Sequence, residues 1–234
     1  MLNPMPYNVV PFFLIGLSAL FFGARGYARY RKTRTPLSYY FGVSGILAGL
    51  SAISYSLPFV FTYEELPLKV MTVVGDLFYY GAIIVTVRYT WYLGLNKSIG
   101  FTWLLIPLLG LIGINIILTI ITIPDINYEV VNNVAHFPVA KVPSLLFAFL
   151  SISFVLMGYF TLRHARAIKE SKQRFRLYII GSVFTIGGIS AIYNYLIVQG
   201  NNTSSAPVIG YSLAAIMLFA GVLFAAGKKN ASVS

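Results

Sequence analysis

Asp76 is the one acidic residue that falls inside an apolar span of this 234-residue chain. An ionisable group in hydrocarbon is costly, faces the bundle interior or a partner, and marks a functional site by default. Counted from the Lys69 end of its span it lies seven residues in, or roughly 10 Å. Lys69 is two turns earlier on the same helical face and is placed to snorkel toward it. The competing reading is structural: an aspartate, protonated or lysine-paired, that only holds helices together. Several polar residues fall at the same expected depth. They are Ser54 and Tyr55, Tyr79 and Tyr80, Tyr193, Asn194 and Tyr195, and Tyr211. Facing one axis, they would line a small polar-aromatic pocket with Asp76 as charged anchor. An interfacial tyrosine belt would enrich the same residues, but Asn194 has no place in such a belt. The ligand-binding candidates are therefore Asp76, Tyr79, Asn194 and Tyr211.

Other chemistry is poorly supplied. Gly42-Val43-Ser44-Gly45 resembles the Gly-x-Ser-Gly of rhomboid intramembrane proteases, yet a serine nucleophile needs a histidine at its own depth. Both histidines, His136 and His164, lie outside the apolar spans. Small residues for close helix packing explain the motif better. Gly75-Asp76 is similar to the Gly-x-Gly-Asp of aspartyl intramembrane proteases, but position 73 is valine and no second intramembrane carboxylate exists. Two distant histidines do not make a zinc site. Without cysteine there is no thiol catalysis, thiolate metal site or disulfide scaffold. A retinal pigment needs a lysine in the last span, and 205–227 contains none. The expectation is a chain with no catalytic residues, metal or cofactor.

Residues of these types must be positioned by helices in lipid. The composition is 58% hydrophobic and 10% charged, with a mean hydropathy of +0.79. A soluble domain carries about 25% charged residues, so most of this surface cannot face water. Residues 1–24, 35–63, 98–124 and 142–162 are free of charge, and 177–227 is an uncharged run divided by Gly200-Asn201-Asn202-Thr203-Ser204-Ser205-Ala206-Pro207. Each piece can supply the roughly 20 residues of a crossing. With the span around Asp76, the expected fold is an all-α integral membrane protein. It forms a single seven-helix domain over 1–234, with spans near 7–30, 36–60, 67–93, 99–123, 141–164, 175–199 and 205–227.

The net charge is +11, from 17 Lys+Arg against 6 Asp+Glu. Beside apolar spans such an excess speaks of topology and anionic lipid headgroups rather than nucleic acid. With seven crossings, fifteen basic residues fall on one side and two, Lys69 and Lys141, on the other. The positive-inside rule then puts the N-terminus outside and the C-terminus inside a cytoplasmic membrane. Positive charge follows the first apolar run instead of preceding it, the wrong polarity for a cleaved signal peptide. Arg163, Arg166, Lys169, Lys172, Arg174 and Arg176 form a basic, helical inner segment suited to anionic lipid, or to docking a cytoplasmic partner. The longest outer segment, about 124–141, has room for a short surface helix. Asn201-Asn202-Thr203 and Asn202-Thr203-Ser204 match the glycosylation pattern, which has meaning in a eukaryotic host.

The first and last three spans resemble each other. At an offset of 132, Val10-Pro11, Leu14, Phe22, Gly26-Tyr27 and Arg31 recur as Val142-Pro143, Leu146, Phe154, Gly158-Tyr159 and Arg163. At an offset of 139, Tyr39, Gly42, Gly49, Ser51-Ala52-Ile53 and Leu57 recur as Tyr178, Gly181, Gly188, Ser190-Ala191-Ile192 and Leu196. Both units would enter from the same side, so the repeat is parallel, three plus one plus three, with a pseudo-two-fold axis along the membrane normal. Chance matching among apolar helices is the alternative, and the third helices (Val74-Gly75 against Ile209-Gly210) match weakly.

The last third resembles the seven-transmembrane sensor module of bacterial histidine kinases. The similar features are Lys172-Gln173-Arg174-Phe175-Arg176-Leu177, the glycine-bearing helix 181–196, and Ala206-Pro207-Val208-Ile209-Gly210. That resemblance implies a receptor-like protein with an outward ligand pocket and a C-terminal signalling domain. This chain stops after Lys228-Lys229 without one, so signalling would pass through a separate partner. A second expectation is a small-solute transporter. The parallel repeat is similar to that of SWEET-class sugar transporters, although neither a Pro-Gln dipeptide nor a Leu-Pro-Tyr signature is present. A third is a non-catalytic subunit of a membrane complex.

Overall fold

The computed structural model describes residues 6–7, 9–95, 100–125, 129–131, 134–136, 140–193, 195–196 and 216. Six long helices dominate: α1 (Val10–Thr33), α2 (Pro36–Ser56), α4 (Glu65–Thr90), α5 (Phe101–Thr122), α6 (Lys141–Ala167) and α7 (Ser171–Tyr193). A single turn, α3 (Pro58–Phe61), extends α2. With their extensions, all six are long and apolar enough to cross a membrane. The protein is a polytopic helical membrane protein. Of the expected seventh span, 205–227, only residue 216 is among the described residues.

Proline placement and local capping set the helix starts. Arg34 takes a left-handed conformation (φ 54°) and closes α1 by donating its N–H to the Tyr30 carbonyl. Thr35 is extended, as a residue before proline prefers, and Pro36 occupies the first turn of α2, where its missing N–H costs nothing. The chain therefore reverses in two residues, and α1 lies antiparallel against α2.

Glycine makes that contact intimate. A Cβ built on Gly23 would meet the Ile46 nitrogen at 2.4 Å, and one on Gly42 the Tyr27 nitrogen at 2.5 Å. Backbone therefore touches backbone along Gly16, Gly23 and Gly26 on α1 and Gly42, Gly45 and Gly49 on α2. In lipid this close van der Waals approach is a main source of helix association. Ser44 is fully buried on α2, away from the glycine stripe, its hydroxyl 3.3 Å from the Phe41 carbonyl. The helices α6 and α7 repeat the device: a Cβ on Gly158 would strike Thr185 and come 2.7 Å from the Gly181 carbonyl oxygen.

Directions follow from cross-helix pairs. Between α2 and α4 the pairs Tyr55–Asp76 and Tyr40–Arg88 run antiparallel. Between α4 and α6, Tyr79–Ser151 and Tyr89–Thr161 share one offset of 72, so these helices are parallel. Lys69 meets the Pro124 carbonyl while Arg88 meets Phe101, so α5 is antiparallel to α4. The alternation gathers Arg25–Arg34, Arg88 and 163–176 at one end of the bundle. A core of Tyr80, Ala82, Ile83, Ile112, Phe147, Leu150 and Phe154 fills the space between α4, α5 and α6. The outer surface of α5 is apolar, with Trp103 76% and Ile121 64% exposed, as lipid requires.

One local expectation is corrected. The 124–141 segment holds a 3-10 turn (Ile123–Asp125) and an antiparallel hairpin, β1 (Glu129–Val131) and β2 (Val134–His136), in place of a surface helix. β-branched valines suit the pleated ladder better than a helix. Ala135 and Val130 pack with Val9, Phe59, Leu68 and Tyr63 and cover this end of the bundle. The basic 163–176 segment is helical, as the sequence leads one to expect, continuing α6 to Ala167 and, after an extended Ile168, opening α7 from Ser171.

Candidate functional site

Asp76 lies on α4, one residue after Gly75, whose missing side chain leaves space for the Tyr55 ring: a Cβ there would be 2.8 Å from Tyr55 Cε1. The glycine lets the phenol of α2 lie flat against α4, and the Tyr55 hydroxyl donates a hydrogen bond to Asp76 Oδ1. The Ser51 hydroxyl, one turn earlier on α2, approaches the same phenol. Asp76 is 6% exposed and has no cation within ion-pair distance among the described residues. Lys69 does not supply one. Its ammonium is held by Glu65 at 2.9 Å and by the Pro124 carbonyl at 3.2 Å, because an i, i+4 carboxylate is nearer than one two turns away. The aspartate is paired with tyrosine, not with lysine.

Tyr79 faces α6. Its hydroxyl is 2.5 Å from Ser151 Oγ, which in turn reaches the Phe147 carbonyl at 2.6 Å, so a short polar chain links α4 to α6. Tyr195, just past α7, closes the layer. Its carbonyl accepts from Ser144 Oγ at 2.5 Å, its ring stacks on Phe147 at 5.0 Å, and its phenol lies toward Tyr55. Phe147 stacks its other neighbour, Tyr80, at 5.4 Å. Asp76 and Tyr79 therefore belong to one layer spanning α2, α4, α6 and Tyr195, but they do not bond to each other. Asn194 and Tyr211 lie outside the described residues. Of the remaining pocket tyrosines, Tyr55, Tyr80 and Tyr195 join the layer, and Ser54 is buried beside it on α2.

Sequence reasoning missed Ser51, Ser144 and Ser151, which look like helix-packing residues until a phenol or carbonyl is found opposite them. It also passed over Asn115 and Thr119 of α5. Asn115 is fully buried, yet neither amide atom has a hydrogen-bond partner among the described residues; the same is true of the Tyr80 and Thr119 hydroxyls. A lone asparagine in an otherwise apolar run was the available signal. Each such orphan costs about 1–3 kcal/mol.

At the opposite end, the Arg88 guanidinium lies over the Trp91 ring at 4.5 Å and the Phe101 ring at 4.2 Å, with Nε 3.4 Å from the Tyr40 hydroxyl. Arg163, Arg166, Lys169 and Arg174 are exposed around the α6–α7 break, Arg176 is half-buried, and Lys172 lies in the first turn of α7. No family model, curated protein or solved structure matches this chain.

Proposed function

We propose that this chain is a receptor-like module of the cytoplasmic membrane, N-terminus outside and C-terminus inside, that recognises a small ligand from the outer side and signals through a separate partner. The observation that carries the reading is Asp76, a buried carboxylate with one tyrosine partner and no neighbouring cation among the described residues. In a membrane such a group calls for positive charge or donors from elsewhere. Aromatic rings beside a carboxylate favour a ligand bearing an ammonium group. Asp76 is the charged anchor, with Tyr79 and, from the sequence, Asn194 and Tyr211 as hydrogen-bonding walls. The basic residues 163–176 meet anionic headgroups and present the docking face for a partner.

The test is thermal stabilisation of the purified protein by a panel of small amines and quaternary ammonium compounds. The wild type should be stabilised by a subset, and a folded Asp76→Asn variant should lose that response. A response kept in full by the variant would remove Asp76 from the site.

One observation favours a transporter as the second reading. Gly26–Gly42 and Gly158–Gly181, the pairs that the internal repeat equates, are both close helix crossings, as a parallel three-plus-one-plus-three repeat requires. Uptake into proteoliposomes by the wild type, abolished in Asp76→Asn, would establish that reading over the receptor.

A further inference from the structure

Hydroxyls within the long helices of this bundle mostly satisfy themselves. Ser18, Ser56, Thr72, Thr86, Thr90, Thr122, Ser151, Thr161 and Thr185 each donate to the carbonyl one turn back, the usual economy for a hydroxyl in an apolar helix. Thr119 departs from this pattern: its hydroxyl makes no such bond. It shares one face of α5 with Asn115, four residues earlier, and both side chains lie near the Tyr80 hydroxyl of α4 without meeting hydrogen-bond geometry. Four polar atoms therefore converge between α4 and α5: the phenol oxygen, both amide atoms and the threonine oxygen. Asn115 is 0% and Tyr80 3% exposed, so bulk solvent does not serve them.

We propose that Tyr80, Asn115 and Thr119 form a second polar site, which binds water inside the bundle. The chemistry sets the class of guest. The set offers donors and acceptors in similar number and carries no charge, so it suits a neutral molecule with both functions. The size is set by what surrounds it: Ile112, Phe147, Leu150 and Phe154 pack with Tyr80 in the same core, and the Phe147 ring is stacked on Tyr80. Apolar walls packed against the phenol in this way favour a guest on the scale of water over an organic solute. Buried waters typically take about three hydrogen bonds from groups that lack protein partners. This site does not depend on the reading of Asp76.

The experiment is radiolytic labelling of the detergent-solubilised full chain in ¹⁸O water, read by mass spectrometry at Tyr80 and at Tyr89. Tyr89 is an equally buried tyrosine of α4 whose hydroxyl is bonded to Thr161 at 3.3 Å. Ordered water labels the side chains that hold it, so ¹⁸O should enter Tyr80 several-fold faster than Tyr89. Asn115→Leu should bring Tyr80 down to the Tyr89 rate; should that variant fail to fold, Thr119→Val, nearly isosteric, reads the same loss. Equal rates at the two tyrosines in the wild type would overturn the proposal. So would fast labelling of Tyr80 that persists in the folded variants.

Discussion

The Tyr55 hydroxyl donates to the carboxylate of Asp76 across the α2–α4 interface, in space that Gly75 leaves open. Tyr55→Phe removes the donor and leaves the carboxylate buried without a described partner. The expected loss is about 1–3 kcal/mol, the cost of an unsatisfied buried acceptor, read as a lower midpoint of thermal unfolding in detergent. Asp76→Asn keeps an acceptor oxygen facing Tyr55 and should unfold close to the wild type. Near-equal destabilisation by the two would show that the charge matters to the fold as well as the hydrogen bond.

Gly75→Ala tests the same contact from its other side. The new methyl would lie 2.8 Å from the Tyr55 ring, so the phenol must move and the bond to Asp76 must stretch. Overpacking of this kind costs about 1–3 kcal/mol. Combined with Tyr55→Phe the two losses should fall short of additivity, because both act through one contact. A double-mutant cycle on thermal unfolding reads this directly, and strict additivity would place the effects elsewhere.

Legibility from sequence followed the physics of each signal. Charge-free runs marked five of the six described helices, and an apolar run interrupted by Asp76 marked the sixth, because the length a bilayer demands leaves a long uniform trace. Asp76 stood out because a carboxylate in such a run is rare. Its partner did not: the sequence favours Lys69, the nearest opposite charge on the same helix, whereas the fold brings Tyr55 from twenty-one residues away. Ser151 and Asn115 stayed hidden for the same reason, since their meaning depends on which face of α5 or α6 meets α4. The valine-rich hairpin at 129–136 was masked by an expectation of helix everywhere, which short polar connections do not obey.

Arg88 has rings where an acid would be expected, Trp91 at 4.5 Å and Phe101 at 4.2 Å. Arg88→Gln should destabilise by roughly 0.5–2 kcal/mol through loss of the cation–π contacts. Lysine should rescue only in part, because a compact ammonium cannot lie flat on two rings and reach Tyr40 as a guanidinium does. Unfolding midpoints of the two variants check the order: wild type, then Arg88→Lys, then Arg88→Gln.

Two classes of glycine should respond in opposite directions. At Gly23 a methyl would lie 2.4 Å from the Ile46 backbone nitrogen; rigid backbone cannot yield as a side chain can, so Gly23→Ala must push α1 from α2. That should cost about 1–3 kcal/mol, and Gly158→Ala should do the same to α6 and α7. Gly110 and Gly113 have nothing within 4 Å of the added carbon. There alanine meets no clash and stiffens the unfolded chain, so each substitution should stabilise α5 by roughly 0.5–1 kcal/mol. Thermal unfolding of the four single variants in one detergent decides the matter. Gly23→Ala as stable as the wild type would mean that α1 and α2 do not meet along their glycines, and with that contact would go the close packing of the helix pair.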